Sequence, residues 1–146
     1  MKLALLLWLV SLMPAGVQDR ACLAATVYLE ARDQPVIGQF AVAEVALRRR
    51  AHGRDGASVC EVVTKSKQFA PGIVSPNHRV KHDRAWLRAW DVAGNAIAMW
   101  NLPKERRREV VPGADHFYAH NLVTPSWAEA GTVAVIGDHA FVAVGL

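Results

Sequence analysis

One carboxylate in the sequence lies where a charged group is unexpected. Glu30 falls near the end of residues 19–32, which the pattern predicts as a helix with Asp19 as its N-cap. At 100° per residue, Leu23, Val27 and Glu30 lie within roughly 60° of one another, so the carboxylate shares a face with apolar side chains. Burial raises the pKa of a carboxylate, and a general acid working near neutral pH needs a raised pKa. Glu30 is therefore a candidate catalytic residue; the alternative is a half-exposed glutamate neutralised at the helix end by Arg32 or another basic residue.

Two cysteines, Cys22 and Cys60, allow one pairing only. Their spacing fits no zinc motif. Together with the export signal described below, they favour a disulfide, which would close a loop of about 38 residues and contribute about 3–4 kcal/mol. The alternative is a pair of free buried cysteines, which are common in proteins.

Two pairs of histidines have i,i+4 spacing, His78 with His82 and His116 with His120. Such a pair binds a metal when it is helical, but the HEXXH pattern is absent and the second pair falls in a predicted strand. We therefore expect no metal and no cofactor.

Three main helices and a small β element must position these side chains. Helices are predicted over residues 19–32, 36–51 and 81–100, and the second carries an apolar stripe of Val36, Phe40, Ala43 and Leu47. The tryptophans of the third helix repeat at helical spacing and are predicted to be core. A strand is predicted over residues 116–120 and a β-hairpin over residues 132–144, with its turn at 136–139. The fold class is therefore α+β, mainly α-helical.

The first 18 residues read as a secretory signal peptide. Of the 146 residues 52% are hydrophobic and 21% charged, and the mean hydropathy is +0.12. Much of this apolar excess lies in a run of about eleven residues after Lys2, whereas a bilayer span needs about 20. We expect cleavage near residues 17–21, leaving one domain over residues 19–146, and transient membrane contact through the leader. The alternative is a retained N-terminal anchor.

The net charge of +4 and the pI of about 9.4 favour a polyanionic partner. Export argues against nucleic acid and leaves an anionic membrane or cell-wall glycan. The alternative for each basic cluster is a merely solvated surface.

Several short motifs resemble one family in order and spacing. Residues 22–32 read CLAATVYLEAR, Gly38–Gln39 leads into AVAEVALRR, and residues 58–63 and Gln68–Phe69 follow. Near the C-terminus come FYAHN at 117–121, PSW at 125–127 and IGDH at 136–139. Together these motifs resemble the spore cortex-lytic (SleB-like) cell-wall hydrolase family over about residues 21–142. The chain departs from the family pattern at Leu47, where Asn is frequent, and at Ala70, where Ser is usual.

The resemblance implies a fold similar to lysozyme-like transglycosylases and resuscitation-promoting factors. It also implies cleavage of the β-1,4 bond between N-acetylmuramic acid and N-acetylglucosamine in peptidoglycan, with the family's catalytic glutamate at Glu30. As a lytic transglycosylase, the enzyme would use Glu30 as general acid and then general base, forming a 1,6-anhydro sugar. Ordinary glycosidases use two carboxylates, and the other candidates (Asp33, Glu44 and Glu61) are expected to be surface or structural groups.

The remaining site predictions concern side chains suited to a glycan cleft. An amide, a phenol, an imidazole and aromatic planes would bind the sugars, and they are supplied by Gln68, Phe69, Tyr118, His120, Asn121 and Trp127. The alternatives are that Phe69 and Trp127 are core and that Asn121 caps a turn.

The leading prediction is therefore an exported, monomeric peptidoglycan-cleaving enzyme of the periplasm or cell wall. Two other functions stay open, namely a hydrolysing muramidase of the same fold and a non-catalytic cell-wall binding module. Both a phage endolysin and a bacterial remodelling enzyme fit a short basic domain with a leader.

Overall fold

The computed structural model describes residues 1–65, 69–72, 75 and 77–146. In this part of the chain the α-helices are α1 (Leu3–Val10), α2 (Ala15–Ala31), α3 (Val36–His52), α4 (Val59–Thr64) and α5 (Asp83–Trp100). The strands are β1 (His116–Ala119), β2 (Thr132–Ile136) and β3 (His139–Val142). The predicted class, mainly helical α+β, is confirmed.

Helix α2 is the centre of the core. Residues 21–28 are all buried, and α2 packs against α3, α4 and α5. Small side chains make this close packing possible, since Ala21, Ala24 and Ala25 are fully buried. The helix that carries Glu30 is therefore held on several sides at once.

The first predicted helix begins earlier than expected. It starts at Ala15, and Asp19 lies inside it instead of capping it. The Asp19 carboxylate accepts a hydrogen bond from the Val59 N–H at 2.9 Å and pairs with Arg50 at 3.3 Å. A local pattern could not reveal this role, because both partners lie more than 30 residues away along the chain.

The other two main helices agree with the prediction within two residues. On α3, Ala43 and Leu47 of the predicted stripe are buried, but Val36 is exposed at the helix start. On α5, Trp100 is buried, and Trp86 and Trp90 are partly buried against the core. The tryptophans therefore contribute to the core as predicted.

The sheet is antiparallel, with the order β1-β3-β2. The predicted hairpin is β2 and β3, joined at Gly137 (φ +57°), and β1 adds to its β3 side with Phe117 opposite Phe141. Alternation along β1 turns Phe117 towards the core and Tyr118 to the opposite face.

The predicted disulfide is present between Cys22 and Cys60. It joins α2 to α4, with the two Cα atoms 5.2 Å apart. Ser58 caps α4 in a reciprocal capping box with Glu61, which fixes the start of this short helix.

The N-terminal segment lies against the rest of the chain. The Leu3 N–H donates to the His78 carbonyl at 2.7 Å, and the Val80 N–H donates to the Met1 carbonyl at 3.1 Å. The outer side of this segment is apolar and exposed at Leu5, Trp8 and Leu12. Among the described residues, none of the helices is both long and apolar enough to span a bilayer.

Candidate active site

Glu30 lies in the last turn of α2 and is half-buried. Its Oε1 atom accepts a hydrogen bond from the backbone N–H of Ala70 at 2.8 Å. Burial raises the pKa of Glu30, and the hydrogen bond from Ala70 acts in the opposite direction without cancelling that effect. The carboxyl therefore keeps its proton to a higher pH than an ordinary glutamate.

The short turn at Ala70–Gly72 holds the donor in place. The Gly72 N–H donates to the Phe69 carbonyl at 3.0 Å, and a Cβ at Gly72 would lie 2.7 Å from the Lys65 carbonyl oxygen. Only glycine allows this close approach of the two backbone segments. Because the contact with Glu30 is made by the backbone of residue 70, alanine in place of the family's usual serine does not disturb it.

The alternative that Arg32 or another basic residue neutralises Glu30 finds no support. None of the described residues forms an ion pair with Glu30. Arg32 is exposed, and its guanidinium carbon lies 5.2 Å from the centre of the Tyr28 ring. A half-buried carboxyl with one neutral donor is suited to giving and taking a proton.

The aromatic side chain predicted beside Glu30 is deeply buried. Phe69 is 1% exposed, and its ring centre lies 5.9 Å from that of Phe117 and 5.3 Å from the Arg49 guanidinium carbon. This favours the core alternative for Phe69 over contact with a sugar. Gln68, its predicted neighbour in the site, lies outside the described residues.

A second group of predicted residues clusters on the other face of the sheet. The Trp127 ring packs edge-on against Tyr118 at 5.6 Å and lies 4.9 Å from the His116 ring. Tyr118 and Trp127 are therefore in contact with each other, but none of the contacts in the described part of the chain joins them to Glu30. Their role in substrate binding stays a prediction.

His120 and Asn121 follow β1 in a turn. The His120 Nε2 atom is 3.1 Å from the Gly137 carbonyl oxygen, which ties it to the β2–β3 turn, and Asn121 is exposed. At the same turn, Asp138 contacts the side-chain amide of Gln34 twice. The amide nitrogen donates to the Asp138 carboxylate and the amide oxygen accepts from the Asp138 backbone N–H, both at 2.9 Å. These contacts fasten the loop after α2 to the sheet.

Two buried polar side chains close to this junction were missed by the sequence reasoning. Gln39 is 1% and His139 is 6% exposed, and neither Gln39 Oε1 nor His139 Nδ1 has a hydrogen-bond partner in the described part of the structure. Burial lowers the pKa of His139, although the negative charges of Asp138 and Asp33 act to raise it. The signal was available: Gln39 directly follows Gly38 in one of the family motifs, and His139 ends another.

Two of the other candidate carboxylates are structural. Both carboxylate oxygens of Glu44 accept backbone N–H groups, from Val110 and Val111, and one also pairs with Arg48. Glu61 is occupied in the capping box of α4. Asp33 is exposed, three residues beyond Glu30.

Comparison with known proteins gave one match. The family model described as Cell Wall Hydrolase matches residues 33–142, which is 110 of the 146 residues. The match begins three residues after Glu30 and includes both Gln39 and His139. No curated protein and no solved structure matches the chain significantly.

Proposed function

This chain belongs to the Cell Wall Hydrolase family, which supports peptidoglycan degradation, and on that premise we propose that it is an exported lytic transglycosylase with Glu30 as its acid and base. The bond cleaved is the β-1,4 linkage between N-acetylmuramic acid and N-acetylglucosamine. The partner is the glycan strand, and the protein acts as a monomer in the periplasm or cell wall.

The observation that carries the proposal is the environment of Glu30. Its carboxyl is half-buried, has a raised pKa and accepts one neutral hydrogen bond, from Ala70. A protonated carboxyl of this kind can donate to a glycosidic oxygen at pH values where an ordinary glutamate is ionised.

In the proposed reaction, Glu30 donates its proton to the glycosidic oxygen as the bond to C1 of the muramic sugar breaks. The C6 hydroxyl of the same sugar then bonds to C1 and gives its proton to the Glu30 carboxylate. The product is a 1,6-anhydro sugar, and the carboxyl returns to its protonated form. This route consumes no water and needs no second carboxylate, in agreement with the structural roles of Glu44 and Glu61.

The test is mass spectrometry of Gram-negative sacculi digested with the full-length protein. Transglycosylation gives anhydro-muramic ends, whereas a hydrolysing muramidase gives reducing ends that are heavier by one water. Reducing ends would overturn the transglycosylase mechanism and make Asp33 the second carboxylate to examine, through Asp33→Asn.

A non-catalytic binding module is separated from an enzyme by Glu30→Gln. The enzyme should lose at least about a hundredfold in cleavage rate, the lower range of what a general acid contributes, while a binder should retain its affinity for sacculi. Unchanged lysis by this variant would rule out Glu30 as the catalytic group. Glu61→Gln, which changes an exposed carboxylate of α4, is the control for a general effect of charge.

A further inference from the structure

A cationic pocket of about 360 Å³ lies where the end of α2 meets the segment that leads into α5. Its wall carries three permanent cations and two imidazoles around one phenol, contributed by Tyr28, Arg32, His78, Arg79, Lys81 and His82. None of the proposed sugar-binding residues lies among them.

The cations of this pocket have no acidic partner. In the described part of the chain, Arg32, Arg79 and Lys81 form no ion pair with a carboxylate, and all three are exposed. The sequence contains no Asp or Glu over residues 62–82, so the undescribed residues of this stretch add none either. An anion that enters the pocket can therefore pair with these cations without displacing a carboxylate.

The floor of the pocket is held in place by Tyr28. Tyr28 is 1% exposed, and its hydroxyl accepts hydrogen bonds from the backbone N–H groups of Lys81 and His82 at 3.2 and 3.4 Å. Its ring packs edge-on against Trp86 with a centre-to-centre distance of 5.9 Å. The segment that carries the cations is thereby fastened to α2, the same helix that carries Glu30.

The pocket and Glu30 lie on opposite sides of one helix end. Arg32 is two residues beyond Glu30, which corresponds to about 3 Å along the axis and about 160° around it. A helix with its side chains is about 10–12 Å across, so the path around 160° of it is about 14–17 Å. An extended peptide covers about 3.3 Å per residue, so about four or five residues attached near the cleaved bond can bridge it.

We propose that this pocket binds carboxylates of the peptide stem that the muramic sugar carries. The inference rests on the function proposed above, because it takes the stem to be attached next to the bond that Glu30 cleaves. Stem peptides have the required chemistry, since they present side-chain and terminal carboxylates spaced along a short chain. Arginine pairs with carboxylates through two parallel hydrogen bonds, and lysine adds a point charge.

The first experiment measures binding without catalysis. The full chain with Glu30→Gln is titrated with a soluble muramyl tripeptide and with the same compound amidated at its carboxylates. We expect the acidic compound to bind, and Arg79→Ser or Lys81→Ser to weaken it by about three- to tenfold, the range for partly exposed charged hydrogen bonds. Lys104→Ser, an exposed lysine in another part of the surface, is the matched control and should bind as before.

The second experiment compares two substrates. The cleavage rate on strands with stems is divided by the rate on strands from which an amidase has removed the stems. This ratio should exceed one for the unaltered protein and for Lys104→Ser, and should fall towards one for the two pocket variants. Both substituted side chains are exposed, so the fold should tolerate their loss.

Each result bears on one proposal separately. Equal binding of the acidic and amidated compounds, or a ratio that the pocket variants do not change, would overturn the stem-binding inference and leave the role of Glu30 intact. Full activity of Glu30→Gln would overturn the proposed mechanism, while the titration would still decide whether the pocket binds carboxylates. Binding of inorganic phosphate as tightly as the muramyl tripeptide would show an unselective anion site and would also overturn the inference.

Discussion

At the scale of single residues, Glu30 is expected to cost the protein stability at neutral pH. Its pKa in the folded chain is raised above the ordinary value of 4.5, so the folded state holds this proton more tightly than the unfolded state. The resulting stabilisation is present below the unfolded pKa and is lost as the pH rises through the folded one. The group that favours proton donation is thus unfavourable for folding once it is ionised.

Glu30→Gln should therefore raise the melting temperature at pH 8 and change it little at pH 4. The glutamine keeps an oxygen that can accept the Ala70 N–H, so the change removes mainly the buried charge. Thermal unfolding at both pH values measures this. Glu61→Gln is the control and should lower the melting temperature at pH 8, because the N–H groups of Ala57 and Ser58 lower the pKa of Glu61 and favour its ionised form in the folded chain. A Glu30→Gln effect of equal size at both pH values would contradict the argument.

Glu44 is expected to matter for folding. Its carboxylate is buried, holds two backbone N–H groups and pairs with Arg48. Glu44→Gln should lower the free energy of unfolding by about 2–4 kcal/mol, because a buried donor loses its acceptor and Arg48 loses a charge partner.

The matched comparison for Glu44 is Glu109→Gln. Glu109 also pairs with Arg48, at 3.0 Å, but is more exposed. Its substitution should cost less than about 1 kcal/mol, because its carboxylate is more solvated and, within the described part of the chain, accepts no buried backbone N–H. Urea unfolding of the two variants gives the difference, and equal losses would contradict the special role of Glu44.

At the scale of elements, the helices and strands that local sequence patterns specify were predicted. The three long helices and the hairpin follow from apolar spacing and turn residues, and their bounds agree closely except at the start of α2. The start of α2 was predicted too late because Asp19 was taken as the N-cap. Its carboxylate instead makes contacts with α3 and α4. The pairing of β1 with β3 was not predicted, because no local pattern specifies which strand joins a hairpin.

The candidate site was predictable to a smaller extent. Glu30 was predicted as a candidate from its helical face and its motif, but its hydrogen-bond partner is a backbone N–H, which the identity of Ala70 does not reveal. The burial of Phe69, Gln39 and His139 depends on packing between distant segments. Glu44 was correctly taken as surface or structural, although its partners at residues 110 and 111 lie 66 and 67 residues away along the chain.

The disulfide is the element-scale contact with the largest expected effect on stability. It links α2 with α4 across a sequence separation of 38. Replacing both Cys22 and Cys60 by alanine should lower the free energy of unfolding by about 3–4 kcal/mol, chiefly by releasing the unfolded chain. Denaturant unfolding, compared with the unaltered protein under reducing and oxidising conditions, measures this. A variant as stable as the oxidised protein would contradict the estimate.

At the scale of the whole molecule, cleavage of the leader is expected to shorten the protein. The proposed cut near residues 17–21 falls in the first two turns of α2, whereas Glu30 is in the last turn. It also removes the segment that bonds to residues 78 and 80. The end of the helix that carries Glu30 should therefore keep its packing against α3 and α5.

Intact mass measurement of protein recovered from the periplasm of a Gram-negative host tests this cleavage. The expected mass corresponds to loss of the first 17–21 residues. Full-length protein that stays with the membrane fraction would instead support the retained-anchor alternative. Lys2→Glu, which reverses the positive start of the leader, should reduce the amount exported.

The cross-link between Cys22 and Cys60 also makes the lifetime of the chain depend on where it is. Thiols stay reduced in the cytosol, so the bond forms only in an oxidising compartment. A loss of about 3–4 kcal/mol corresponds to an unfolded population roughly one hundred to several hundred times larger. Where unfolding and refolding are fast, proteases degrade a chain in proportion to that population. Copies that fail to leave the cytosol should therefore be cleared quickly, and those that arrive outside should persist.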